Sequence, residues 1–231
     1  MIFPKLTGCL AAGALVIAVT VGACTSATSS PSSSPTAATP SGPGTGGSGS
    51  NARSGPAAGG ASGTVAGVST TGFTLTTAAG QNVAVSQAPS TTYQDGTSPA
   101  SASAISAGAQ VVVLGTVSGT TISASEVIMQ PAGAGASTSP SAAGVVPLSP
   151  GAAAPSKQVG QIPPSYSQGS GTIVSGTTAD QATVAALAAY PGGIINRVVQ
   201  LSDGTYEAHN IGVNWPHHIF VNQNFKVVGA N

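Results

Sequence analysis

The residue types best able to do chemistry gather in one short stretch. His209, His217 and His218 are all the histidines of the chain, and with the single tryptophan, Trp215, they fall within ten positions. Neutral imidazoles accept zinc or copper, and Glu207 could add a carboxylate from the strand face that carries His209. Strand alternation opposes this. If a strand starts just after Pro216, His217 shares a face with Ile219 and Val221 while His218 points the other way with Phe220. Neighbouring strand residues do not converge easily on one ion, so the competing reading has histidines that hydrogen-bond locally beside a sheet. Pro216 lacks a backbone donor and belongs at a sheet edge or strand start. That predicts a partly exposed Trp215, and a recognition edge formed by Trp215, His217 and His218.

Other chemistries find little footing. Hydrolysis needs a nucleophile with an orienting base, and the chain has no GxSxG and no HExxH. Asp203, a histidine and one of many serines could meet as a triad, which spacing alone does not decide. Asp95 and Glu126 each stand alone, a poor start for paired-carboxylate glycosidic chemistry. Gly42-Pro43-Gly44-Thr45-Gly46-Gly47 satisfies GxGxxG, but no strand precedes it and no helix follows to cradle a dinucleotide. The expectation is a protein that is not an enzyme and holds no cofactor.

Cys9 and Cys24 are the only cysteines, both within or bordering an export signal, so the mature chain has no internal disulfide and no thiol catalyst. Lys5 supplies a positive charge, and Leu10 to Val21 an apolar run of signal-peptide length. Val21-Gly22-Ala23-Cys24 resembles the lipobox of bacterial lipoproteins. The resemblance implies diacylglycerol on the Cys24 thiol, cleavage before it, and two acyl chains that hold the protein stably on the extracytoplasmic side of the cell membrane. The competing reading is an uncleaved transmembrane helix from Leu6 to Ala23, short against the roughly 20 apolar residues a bilayer demands.

Charged residues make up 4% of the sequence and the formal net charge is zero. No Lys or Arg occurs between Arg53 and Lys157, so that stretch cannot neutralise phosphates, and nucleic acid binding is not expected. Around the chemistry-bearing residues the chain divides into five: a signal peptide at 1–23, a lipidated and disordered Ser/Pro/Gly tether at 24–62, a β-barrel at 63–130, a Pro/Gly/Ala linker at 131–171, and an α+β module at 172–231. The fold class is mostly β with α+β, in two modules that move semi-independently.

Alternation predicts barrel strands at Thr64–Ser69, Gly72–Thr77, Gln81–Ser86, Gln110–Val117 and Thr121–Met129, with Phe73, Leu75 and Thr77 on one face. Five short strands favour closure. The set Gly63-Thr64-Val65, Phe73-Thr74-Leu75, Val83-Ala84-Val85, Thr91-Thr92-Tyr93 and Ile105 to Val117 resembles a family of exported domains of unknown function with an OB-like barrel. Ala109 stands where that family's turn carries Asp.

In the second module Thr178-Ala179-Asp180-Gln181 reads as a capping box opening a helix that runs to about Tyr190, with Val184, Leu187 and Ala188 facing a sheet. Strands follow at Ile194–Leu201, Thr205–Ile211, Ile219–Val221 and Phe225–Val228, the first two joined by a Ser202-Asp203-Gly204 turn. Ala185 to Gly193, Arg197-Val198-Val199 and Asp203 to His209 resemble a PepSY-like module over roughly residues 179–229, with an actinobacterial aspect in the segment Gly212 to His218. The resemblance implies a small exported unit linked to protease inhibition or to sensing and adaptor roles, with an exported protein or another envelope component as partner.

Overall fold

Alternating apolar and polar residues build the first half of the structure. The computed structural model describes residues 55–130 and 139–231, all within one compact unit spanning Thr45–Asn231. The export signal, Cys24, most of the tether and residues 131–138 lie outside the described residues.

The strands are β1 (Ala57–Val68), β2 (Gly72–Thr77), β3 (Asn82–Asp95), β4 (Ser98–Pro99), β5 (Gln110–Ser118) and β6 (Thr121–Met129). The sheet order β2-β3-β6-β5-β1 closes through a β2–β1 pairing, giving a five-stranded barrel consistent with an OB-like fold. Only β3 and β6 pair in parallel within it. Val65, Phe73, Leu75, Val83, Val111, Val113, Ile122 and Val127 fill the interior. Phe73, Leu75 and Thr77 share the buried face expected of them.

Past the barrel come β7 (Val146–Pro147), β8 (Val159–Gly160), β9 (Thr172–Ile173), helix α1 (Thr177–Ala189), β10 (Ile194–Gln200), β11 (Tyr206–Ile211), β12 (Val213–Trp215), β13 (His218–Val221) and β14 (Val227–Ala230). The antiparallel order β10-β11-β13-β14-β8 forms the second half, with β9 on the edge of β10. The turn at Ser202–Gly204 forms as expected: Asp203 Oδ1 accepts from the Thr205 amide at 2.9 Å, and Gly204 takes φ 84°.

The two halves share a strand. Gly60 and Ala61 of β1 pair with Leu114 and Val113 of β5 on one side and with Ile195 and Ile194 of β10 on the other. This close approach needs bare backbone. A Cβ on Gly59 would lie 1.9 Å from the Ile195 carbonyl oxygen, and one on Gly60 would lie 2.2 Å from that of Val113. Residues 57–62, expected in the tether, are therefore strand. A second bond crosses the halves where the Thr77 hydroxyl donates to the Gly192 carbonyl at 2.7 Å, buried. The sheet thus continues from barrel to module, and the expected separation into two semi-independent bodies is not seen.

Val111-Val112-Val113-Leu114 shows why they join. Val111 and Val113 point into the barrel, while Leu114 is buried on its outside and Val112 packs into the second core. A strand apolar on both faces needs cover on both. Helix α1 helps to supply it through small side chains, with Ala179, Ala182, Thr183 and Ala186 buried beside Leu187. The helix differs from expectation in two respects. Its N-cap is Gly176, with no side-chain cap bond, because the helix starts one residue before the expected cap Thr178. Of the three residues expected to face the sheet only Leu187 does: Val184 is 37% exposed and Ala188 is exposed too, since the buried stripe runs through 179, 182, 183, 186 and 187.

The linker reading also changes. Residues 139–171 wrap the module: β7 pairs with β12, β8 with β14, and Val145 joins the core. Composition alone suggested a loose segment, but a few anchors, Val145, Pro163 and Tyr166 among them, tie it down.

Candidate functional site

The face of the β10-β11-β13 sheet turned away from α1 carries the titratable groups. Register places Arg197 opposite His209 and His209 opposite His218, and, one step along, Val199 opposite Glu207 and Glu207 opposite Phe220. Strand alternation sends the partners of these residues, Val198, Ala208, Ile219 and Val221, to the helix side, where they form the core. Tyr166, from the wrapping segment, packs over this face with its ring 5.3 Å from His218 and 4.8 Å from Phe220.

Glu207 is only 3% exposed and accepts a bond from His218 Nδ1 at 2.7 Å. His209 Nδ1 donates to Asn196 Oδ1 at 2.7 Å, which leaves Nε2 with its lone pair. Burial, then the Arg197 guanidinium and then His218 and His217 push the His209 pKa down to about 3, so its imidazole is neutral at ordinary pH. Burial, with Glu207 adding to it and Arg197 opposing, pushes the Tyr166 phenol up to about 12. Arg197 Nε is buried and has no hydrogen-bond partner among the described residues.

The structure gathers all three histidines, the His217 ring lying 6.5 Å from that of His218. His209 and His218 stand ring to ring at 5.3 Å because they sit directly opposite on adjacent strands, a convergence that the spacing argument along one strand did not anticipate. Of the three, His217 bonds to backbone, its Nδ1 lying 3.2 Å from the carbonyl oxygen of Asn210 on β11. Among the described residues no group of three or more His, Cys, Asp or Glu is placed to hold a metal ion. Scans against family models, curated proteins and solved structures each find no match to this chain. Neither the barrel resemblance nor the PepSY-like one therefore gains a family assignment.

Trp215 corrects the expected recognition edge. It is 1% exposed, its Nε1 donates to the Lys157 carbonyl at 2.8 Å, and Tyr190 meets it edge-on at 5.5 Å. The Lys157 ammonium lies 4.2 Å from the ring centroid. Pro216 does interrupt the strands, but β12 finds a partner in β7, and the wrapping segment covers what would otherwise be an edge. Asn210, fully buried, steadies this turn by donating from Nδ2 to the Pro216 carbonyl at 3.0 Å. Gly193 leaves it room, since a Cβ there would sit 1.8 Å from Asn210 Oδ1.

Sequence reasoning missed Tyr166, Arg197 and Asn196 as members of the cluster. Arg197 carried a signal, being one of five basic residues in the whole chain. Tyr166 carried none, lying among Pro, Ser and Gly.

Proposed function

We propose that the chain is a lipid-anchored extracytoplasmic protein that binds another exported protein or envelope component through the sheet face of Arg197, Glu207, His209 and His218. The observation that carries the binding role is Arg197, whose buried Nε has no partner among the described residues beside a Glu207–His218 pair. A donor left unmet in a folded protein is costly, and although Nε itself is shielded, a partner's acceptor at the half-buried guanidinium would satisfy it once that side chain shifts. The lipobox-like Val21-Gly22-Ala23-Cys24 supports the anchor, and the helix laid on an antiparallel sheet supports a PepSY-like adaptor reading. A binding rather than catalytic role is supported by a sequence without the motifs of the common hydrolases. Among the described residues no helix is long and apolar enough to cross a membrane.

Two measurements test this. Cys24→Ser should abolish labelling by a fatty-acid analogue, and persistent labelling would sink the anchor. Cross-linking on intact cells should capture a partner that Arg197→Gln loses while thermal stability is kept; capture unchanged by Arg197→Gln would remove this face from the function.

A second reading, metal binding, is favoured by the neutral His209 beside His218, whose Nδ1 is held by a carboxylate as metal-bound imidazoles often are. The nearby Arg197 charge opposes it. Calorimetric titration with zinc and copper should show no binding that depends on His209 and His218 if the first reading holds.

A further inference from the structure

A separate groove of about 470 Å³ runs between α1 and the outer wall of the barrel. Its apolar walls are Leu114 and Ile128 from β5 and β6, Val184 from the helix, and Phe225 from the β13–β14 turn. The charged groups lining it are both acidic, Glu126 and Asp180, and the barrel has no basic residue with which to balance them. We propose that this groove binds a polypeptide segment of an exported partner in which apolar side chains alternate with lysine or arginine.

Four observations carry the proposal, independently of the sheet face described above; that the partner is exported rests on the extracytoplasmic reading. The volume falls in the range of ligand sites, about 300–1,000 Å³, and suits a few large side chains. Val184 lies 37% exposed on the rim, a branched apolar side chain left facing solvent. Phe225 is the one non-glycine residue with positive φ among the described residues, at 54°, a conformation costly for an aromatic. Its turn is built to hold it there: Asn222 Oδ1 accepts from the amides of Asn224 and Lys226, and the Phe225 amide donates to the Asn222 carbonyl. Lys226 is exposed and does not line the groove.

Charge then selects the occupant. Carboxylates in an apolar trench repel anionic headgroups and phosphates, and attract ammonium or guanidinium groups at short range. Glu126 is oriented by Gln94, whose Nε2 donates to its Oε1. Asp180 stands in the first turn of α1.

The test is a fluorescence-anisotropy titration of the purified full chain with a labelled six-residue peptide alternating leucine and lysine. Two control peptides replace its lysines by glutamates or its leucines by serines. The lysine peptide should bind at least tenfold more tightly than either control. Val184→Arg, at an exposed position, and the pair Glu126→Gln with Asp180→Asn should each weaken it at least tenfold at unchanged melting temperature. Asp180→Lys should narrow or reverse the preference between lysine and glutamate peptides. Equal affinity for the lysine and glutamate peptides, no binding of the lysine peptide, or capture of anionic vesicles in its place would each overturn the proposal. Should the carboxamide pair fail to fold, the Val184→Arg result stands on its own.

Discussion

Trp215 and His209 show how burial decides what a residue can do. A tryptophan beside a proline suggested an exposed anchor, yet the ring lies in the second core and its indole N–H is taken by Lys157. Truncating such a residue costs about 3–5 kcal/mol, so Trp215→Ala should unfold much of the protein at moderate denaturant, and a change under about 1 kcal/mol in a urea titration would contradict the buried assignment. Being the sole tryptophan, it should also emit as a shielded indole. His209 makes the pH prediction. Its folded pKa, about 3, lies below the ordinary 6.5, so between those values the unfolded chain binds more protons. Stability should therefore fall as pH drops from about 6.5 towards 3. His209→Gln should flatten that slope, and melting curves of both proteins across the range would check it.

At the scale of elements, β1 is the strand on which the structure depends most. Gly60→Ala places a methyl against the Val113 carbonyl and near Thr183 on α1, and overpacking of this kind costs about 1–3 kcal/mol. The melting temperature should fall, and an unchanged one would mean that β1 is not packed against β5 and α1 as described. This junction was the least legible part of the sequence. Alternation gave β2 and β6 to the residue, because their apolar side chains, Ile128 apart, face a single core. The first half of β1 is Ala-Ala-Gly-Gly-Ala-Ser, which leaves no pattern, since its contribution is the absence of side chains. The segment 139–171 hid for a related reason: proline and glycine composition reads as linker, whereas pairing and a few anchors, set by tertiary partners, make it a belt. Of the candidate site, Glu207, His209 and His218 were legible from type and strand face. Their meeting with Arg197 and Tyr166 depends on which strands become neighbours, which no local pattern states.

At the scale of the molecule, two cores share β1 and are crosslinked by the Thr77–Gly192 bond. One unfolding transition is expected, with tryptophan fluorescence and far-ultraviolet dichroism superimposing; two separated transitions would restore independent modules. The shared strand also lies next in sequence to the stretch leading back to the proposed anchor at Cys24. Drag on a protein held at the membrane would be delivered to Ala57, where β1 is bonded to β5 alone before it reaches β10 at Gly60. The first strand to bear load is thus the one both cores need. Tearing it away would open the barrel and uncover the module's sheet in a single event, so such a protein would hold whole under tension or fail whole.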